Sequence, residues 1–115
     1  DEENKRLTFA QAETGASGIE TLLPLSLELY HNGSAELETI IKALTSKPAE
    51  ILKINKGNLS TGNDADFCIV DINKPWVVRK EKLISKSKNT PIEDKKLQGK
   101  VISTFINGEE LFKTE

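Results

Sequence analysis

Hydrophobic positions along this chain follow two rhythms that meet near Gly57. From Ile19 to Asn32 the apolar residues recur at helical spacing: Ile19, Leu22, Leu23, Ser26, Leu27 and Tyr30 fall on one face. Ser17 or Gly18 can cap this helix, and Glu20 suits its positive end. Pro24 lies inside the run and lacks a backbone donor, so a distorted first turn is expected there. His31 falls in the last turn, and Gly33 beyond it is a stop signal. Ser34 then caps a second predicted helix, Ala35 to Leu44, with Leu37, Ile40, Ile41 and Leu44 along one side. A third, Lys47 to about Lys53, tolerates Pro48 in its first turn and offers Ala49, Ile51, Leu52 and Ile54 as apolar contacts.

Beyond Gly57 the pattern shortens. Gly62-Asn63-Asp64 reads as a turn. Asp66 to Asp71 is an apolar run bounded by acids, the pattern of a strand buried on both faces. Asn73-Lys74-Pro75 is expected to turn the chain, and Trp76-Val77-Val78 to form another strand. Glu81 to Ser85 suggests a helical turn, and the polar stretch from Ser85 to Leu97, with Pro91, an ordered loop. Lys100 to Ile106 reads as a strand, Asn107-Gly108 as a type I′ hairpin, and Glu109 to Lys113 as the antiparallel return. There is no internal repeat. The composition shift between Lys53 and Gly57 divides the chain into a helical part, residues 1–56, and a β part, residues 57–115.

Composition narrows the functional classes. With 115 residues the chain supports one modest core. Charged residues make up 30% and the formal net charge is −2, with both signs interspersed, so there is no basic stripe to bind nucleic acid. No apolar run approaches the roughly 18 residues that span a bilayer, so no membrane partner is expected. Cys68 is the only cysteine, which fits a reducing, cytoplasmic setting. The chain has no methionine and opens on Asp1-Glu2-Glu3-Asn4-Lys5-Arg6, which suggests a processed or excised piece of a longer protein.

The stretch with most chemical content is Phe9 to Gly18. Gly15 and Gly18 stand three apart in a run of small residues just before the first predicted helix. Glycine lets a backbone come close to a ligand and then enter a helix, where main-chain N–H groups favour an anion.

Three segments resemble dihydroorotases of the longer, bacterial type. The first is Phe9-Ala10-Gln11-Ala12-Glu13-Thr14-Gly15-Ala16-Ser17-Gly18-Ile19-Glu20-Thr21. The second is Lys47-Pro48-Ala49-Glu50-Ile51-Leu52 followed by Gly57, Gly62 and Ala65-Asp66; it is common to amidohydrolases, dihydropyrimidinases and hydantoinases included. The third is Ser85-Lys86-Ser87-Lys88-Asn89-Thr90-Pro91, then Leu97-Gln98-Gly99-Lys100-Val101. The resemblance implies an α/β fold: the last loop and helix of a (β/α)8 barrel, bracing helices, and C-terminal strands of a β-sandwich. It also implies a parent enzyme that interconverts N-carbamoyl-L-aspartate and dihydroorotate with zinc. Family ligands are histidines, a carboxylated lysine and an aspartate that serves as general base; that aspartate falls just upstream of Asp1. No catalytic residue and no metal ligand is therefore assigned to this chain, which is expected to be inactive alone.

What the resemblance does carry over is substrate binding at Thr14 and Gly15. Main-chain groups there suit a small ring bearing amides and a carboxylate. The family's frequent proline-aromatic pair is replaced by Glu13 and Thr14, which leaves a backbone argument intact. A loop that merely caps the barrel is the alternative. Implied partners are the rest of the barrel, a second copy, or aspartate carbamoyltransferase. Three rival readings stand beside this one: a dihydropyrimidinase-like or hydantoinase-like amidase, a non-catalytic homologue that scaffolds the transferase, and an independent small α+β binding domain.

Other residues have plainer readings. His31 is expected at a helix C-terminus, Cys68 as a small hydrophobe packed in a strand, and Trp76 as an anchor of the sandwich. Asp64, Asp66 and Asp71 lack the alternating loop of a calcium site and suit turns and strand ends. Lys86-Ser87-Lys88 could meet an anion, but an ordered loop packed on the barrel is the expected role.

Overall fold

The computed structural model describes residues 3–12 and 14–114. Asp1 and Glu2 of the charged start, Glu13 of the small-residue loop and Glu115 lie outside the described residues. A 3-10 turn at Glu3–Lys5 leads into the loop. Three helices follow, α1 (Leu22–His31), α2 (Leu37–Leu44) and α3 (Ser46–Leu52). Three strands come next, β1 (Phe67–Val77), β2 (Lys96–Ile106) and β3 (Glu109–Lys113), with a 3-10 turn at Lys80–Lys82 between β1 and β2. The strands make one antiparallel sheet in the order β1-β2-β3.

The first helix starts later than its apolar spacing predicts, at Leu22, after a turn in which Gly18 O accepts from Thr21 N and Leu22 N. Pro24 thereby falls in the first turn, where its missing N–H has no helical partner to lose. It is buried rather than disruptive, and the face turned inward is Thr21, Pro24 and Leu27. Ile19 and Leu22, expected inside, are 92% and 56% exposed. No side-chain cap forms: the N-cap position is Thr21, and its hydroxyl donates to Gly18 O at 3.2 Å. The C-terminus stops as expected: Gly33 has φ +75°, and Leu29 O accepts from Ser34 N and Ala35 N. Ser34 does not cap α2, which begins at Leu37 with an extended Glu36 before it.

In the β part, Asn73-Lys74-Pro75 does not reverse the chain. Asp71 Oδ1 accepts from Asn73 N and Lys74 N, each at 3.0 Å, so the turn chemistry is present. It produces a bulge inside one eleven-residue strand. Asp71 pairs with Lys100 and Pro75 with Gln98, and the intervening residues stand opposite Gly99. Nor is the Asp66–Asp71 run buried on both faces. Cys68 and Ile69, adjacent and on opposite faces of the strand, are both exposed, and α1 packs chiefly against β2 rather than this edge strand. The hairpin forms as expected, with Asn107 at φ 51° and Gly108 at φ 81°. Phe67 and Phe105, paired across β1 and β2, stack at 4.6 Å.

The helical and β parts meet where α1 crosses β2. Leu27 is fully buried against Gly99, and a Cβ placed on Gly99 would lie 2.4 Å from Leu27 Cδ1. Trp76 Nε1 donates to Gly99 O at 2.9 Å, and the other buried apolar residues are Pro24, Ile40, Ala49, Val78, Leu83 and Leu97. A globular chain of this length has a radius of gyration of about 13 Å. This one measures 16.5 Å, with extents of 53 × 31 × 31 Å.

Candidate functional site

The candidate ligand loop is held from one side. Thr8 O accepts from Gln11 N and Ala12 N, which turns the chain back toward Thr14 and leaves Phe9 fully exposed. Thr14 and Gly15 are both exposed. Gly15 has φ +90°, a conformation that strains any residue with a Cβ. A Cβ there would meet nothing within 4 Å, so among the described residues glycine answers to backbone angle rather than crowding.

Segment 83–90 does the holding. Asn89 Nδ2 donates to Gly15 O at 3.1 Å, and Lys5 Nζ donates to the same oxygen. Ser17 N donates to Asn89 O at 2.8 Å, and Ser17 Oγ to Ser87 O at 2.8 Å. Glu20 does not serve the helix end. Its two carboxylate oxygens accept from Ile84 N at 3.1 Å and Ser85 N at 3.0 Å, and a charged acceptor makes such bonds stronger than neutral ones. Two stretches singled out separately in the sequence, 9–21 and 85–91, are thus one unit. Sequence reasoning missed the parts of Glu20, Ser87 and Asn89. The signal available was an Asn before Thr-Pro in a polar loop, with no partner suggested by spacing.

The remaining candidates fall where their chemistry is spent locally. His31 ends α1 and its Nε2 lies 3.0 Å from Ile72 O, tying the helix to the β1 bulge. Lys56 Nζ donates to Asp64 Oδ2 at 2.6 Å and Asp66 Oδ2 at 2.5 Å, and Asp66 Oδ1 accepts from Asn107 N at 2.8 Å. These bonds hold the Asp66 carboxyl below its ordinary range, the Lys56 ammonium first and the Asn107 amide second, and the two aspartates hold Lys56 above its own. A lysine between the acids is the opposite of a cation site. Among the described residues no group of three or more His, Cys, Asp or Glu side chains could hold a metal ion, so the residues present do not fit a zinc centre. Cys68 is exposed rather than packed, and Lys88 Nζ donates to Leu83 O. No helix among the described residues is long and apolar enough to cross a membrane.

The described residues thus form a loop braced by segment 83–90. The chain belongs to the amidohydrolase family, whose model matches residues 4–111. It is 43% identical over 111 residues to a dihydroorotase of Ehrlichia chaffeensis, covering 96% of this chain. It is 39% identical over 112 residues to that of a Drosophila simulans Wolbachia, and 42% identical over 102 residues to that of Aquifex aeolicus. The chain spans about a quarter of the length of these curated relatives. Among solved structures, it is similar to an L-hydantoinase (dihydropyrimidinase) from Arthrobacter aurescens, with TM-score 0.84 at 30% identity, covering 90% of this chain and 24% of that one. A dihydropyrimidinase from Brevibacillus agri superposes with TM-score 0.87 over 96% of this chain and 25% of that one; at 22% identity this likeness shows the fold alone.

Proposed function

We propose that this chain is the C-terminal quarter of a cytoplasmic dihydroorotase, a zinc enzyme interconverting N-carbamoyl-L-aspartate and dihydroorotate. In this reading residues 1–56 close the end of a (β/α)8 barrel, and residues 57–115 supply strands of the accompanying β-sandwich. The loop then lies at the C-terminal face of the barrel, where such folds keep their active sites. Zinc and the general base belong to residues outside this chain. Thr14 and Gly15 contribute main-chain contacts to the ring, and Glu20, Ser87 and Asn89 keep the loop in place. The observation that carries the reading is the run of 37–45% identity to proteins named dihydroorotase along most of the chain.

The likeness to the Arthrobacter L-hydantoinase favours one second reading, a related cyclic amidase whose loop reads the same ring amide with a different substituent. Turnover of dihydroorotate, dihydrouracil and hydantoin by the full-length protein separates the two. Dihydroorotate is expected to give the highest kcat/KM; preference for either of the others overturns the first reading.

A further inference from the structure

We propose that Asn89 is a positioning residue for the ligand loop: its side-chain amide fixes the Gly15–Ala16 peptide so that the loop meets the ring in one orientation. The inference rests on the reading of Thr14 and Gly15 as a ligand loop and adds to it a residue distant in sequence. Gly15, at φ +90°, is a residue type with wide backbone freedom held in a conformation that other residues rarely adopt. An unrestrained glycine there would have to be ordered by each ligand, at a cost in affinity. The peptide plane is rigid and trans, so holding Gly15 O at one edge also sets the direction of the Ala16 N–H at the other.

Asn89 can do this because it is itself anchored. Its own carbonyl accepts from Ser17 N, Ser87 O accepts from Ser17 Oγ, and the Glu20 carboxylate takes the Ile84 and Ser85 amides. Lys5 also reaches Gly15 O, but a lysine is a point charge on a flexible stem, whereas a short amide on an anchored backbone has a defined direction. Asn89 touches no ligand in this scheme; it acts through Gly15.

The test is made in the full-length protein with Asn89→Leu, which keeps the branched heavy-atom shape and removes the donor, and Asn89→Gln, which restores an amide. Asn89→Leu is expected to raise KM for the cyclic substrate about fivefold to tenfold, the loss of one hydrogen bond, with kcat nearly unchanged. Asn89→Gln should recover part of that, and Asn63→Ala, remote from the loop, should leave KM alone. Backbone hydrogen exchange at Ser17 should be faster in Asn89→Leu, with or without turnover. An unchanged KM together with unchanged exchange overturns the proposal. So does a fall in kcat and melting temperature that leaves KM where it was. Should Asn89→Leu not fold, Ser17→Ala removes only the hydroxyl bond to Ser87 and must give the same split in smaller measure; no split there also overturns it. Wild-type turnover of the three ring substrates is measured first. A wild type inactive on dihydroorotate sinks the dihydroorotase reading, while the Asn89 comparison is then read on whichever ring it opens and on the exchange data.

Discussion

Gly99 shows why single positions in this chain have the residues they have. Its φ of +104° and the 2.4 Å approach of Leu27 Cδ1 to a would-be Cβ are two separate objections to a side chain. Gly62, at φ +94° with open space beside it, meets only the first. Gly99→Ala should therefore cost about 2–4 kcal/mol, overpacking added to backbone strain, and Gly62→Ala about 1–2 kcal/mol from strain alone. Denaturant midpoints of the two variants check this, and equal losses would contradict the close approach. In the sequence Gly99 was visible as part of a family-like motif, but its reason was not, because Leu27 lies far away along the chain. Asn89 was hidden for the same cause. A side-chain bond to a carbonyl 74 residues distant leaves no mark in local spacing. Gly15 was singled out from its place in a small-residue loop, and its φ of +90° is one that suits glycine.

At the scale of elements, the turn and stop signals were read correctly, whereas the side-chain caps expected at Ser17 and Ser34 do not form. The Asn107-Gly108 hairpin and the Gly33 stop each depend on residues within a few positions. Elements whose outcome depends on a partner were misread. The turn expected at Asn73-Lys74-Pro75 is a bulge, because β2 runs alongside and pairs on both sides of it. Burial along the helices was misplaced for a related reason. Leu27 is covered by β2, while Ile51 and Leu52 of α3 are 79% and 67% exposed, and Leu22 and Leu29 of α1 about half exposed. Helical faces of this kind do not stay in water by preference. The purified chain should bind an apolar dye and scatter light as it associates, and Ile51→Ser with Leu52→Ser should reduce both without loss of helix signal. A clean monomer that takes up no dye would contradict this.

The whole molecule is more extended than an independent globule of its length, and few of its apolar side chains are buried. Spanning about a quarter of its curated relatives, it carries a braced loop, and among its described residues no metal-binding cluster. The function proposed above accounts for these features by making this chain a wall of a site whose reactive groups lie on other residues. Ring opening of dihydroorotate in the presence of zinc, measured side by side on the purified 115-residue chain and on the full-length protein, tests that account most directly. It predicts turnover by the full-length protein and none by the chain; turnover by the chain alone would contradict it.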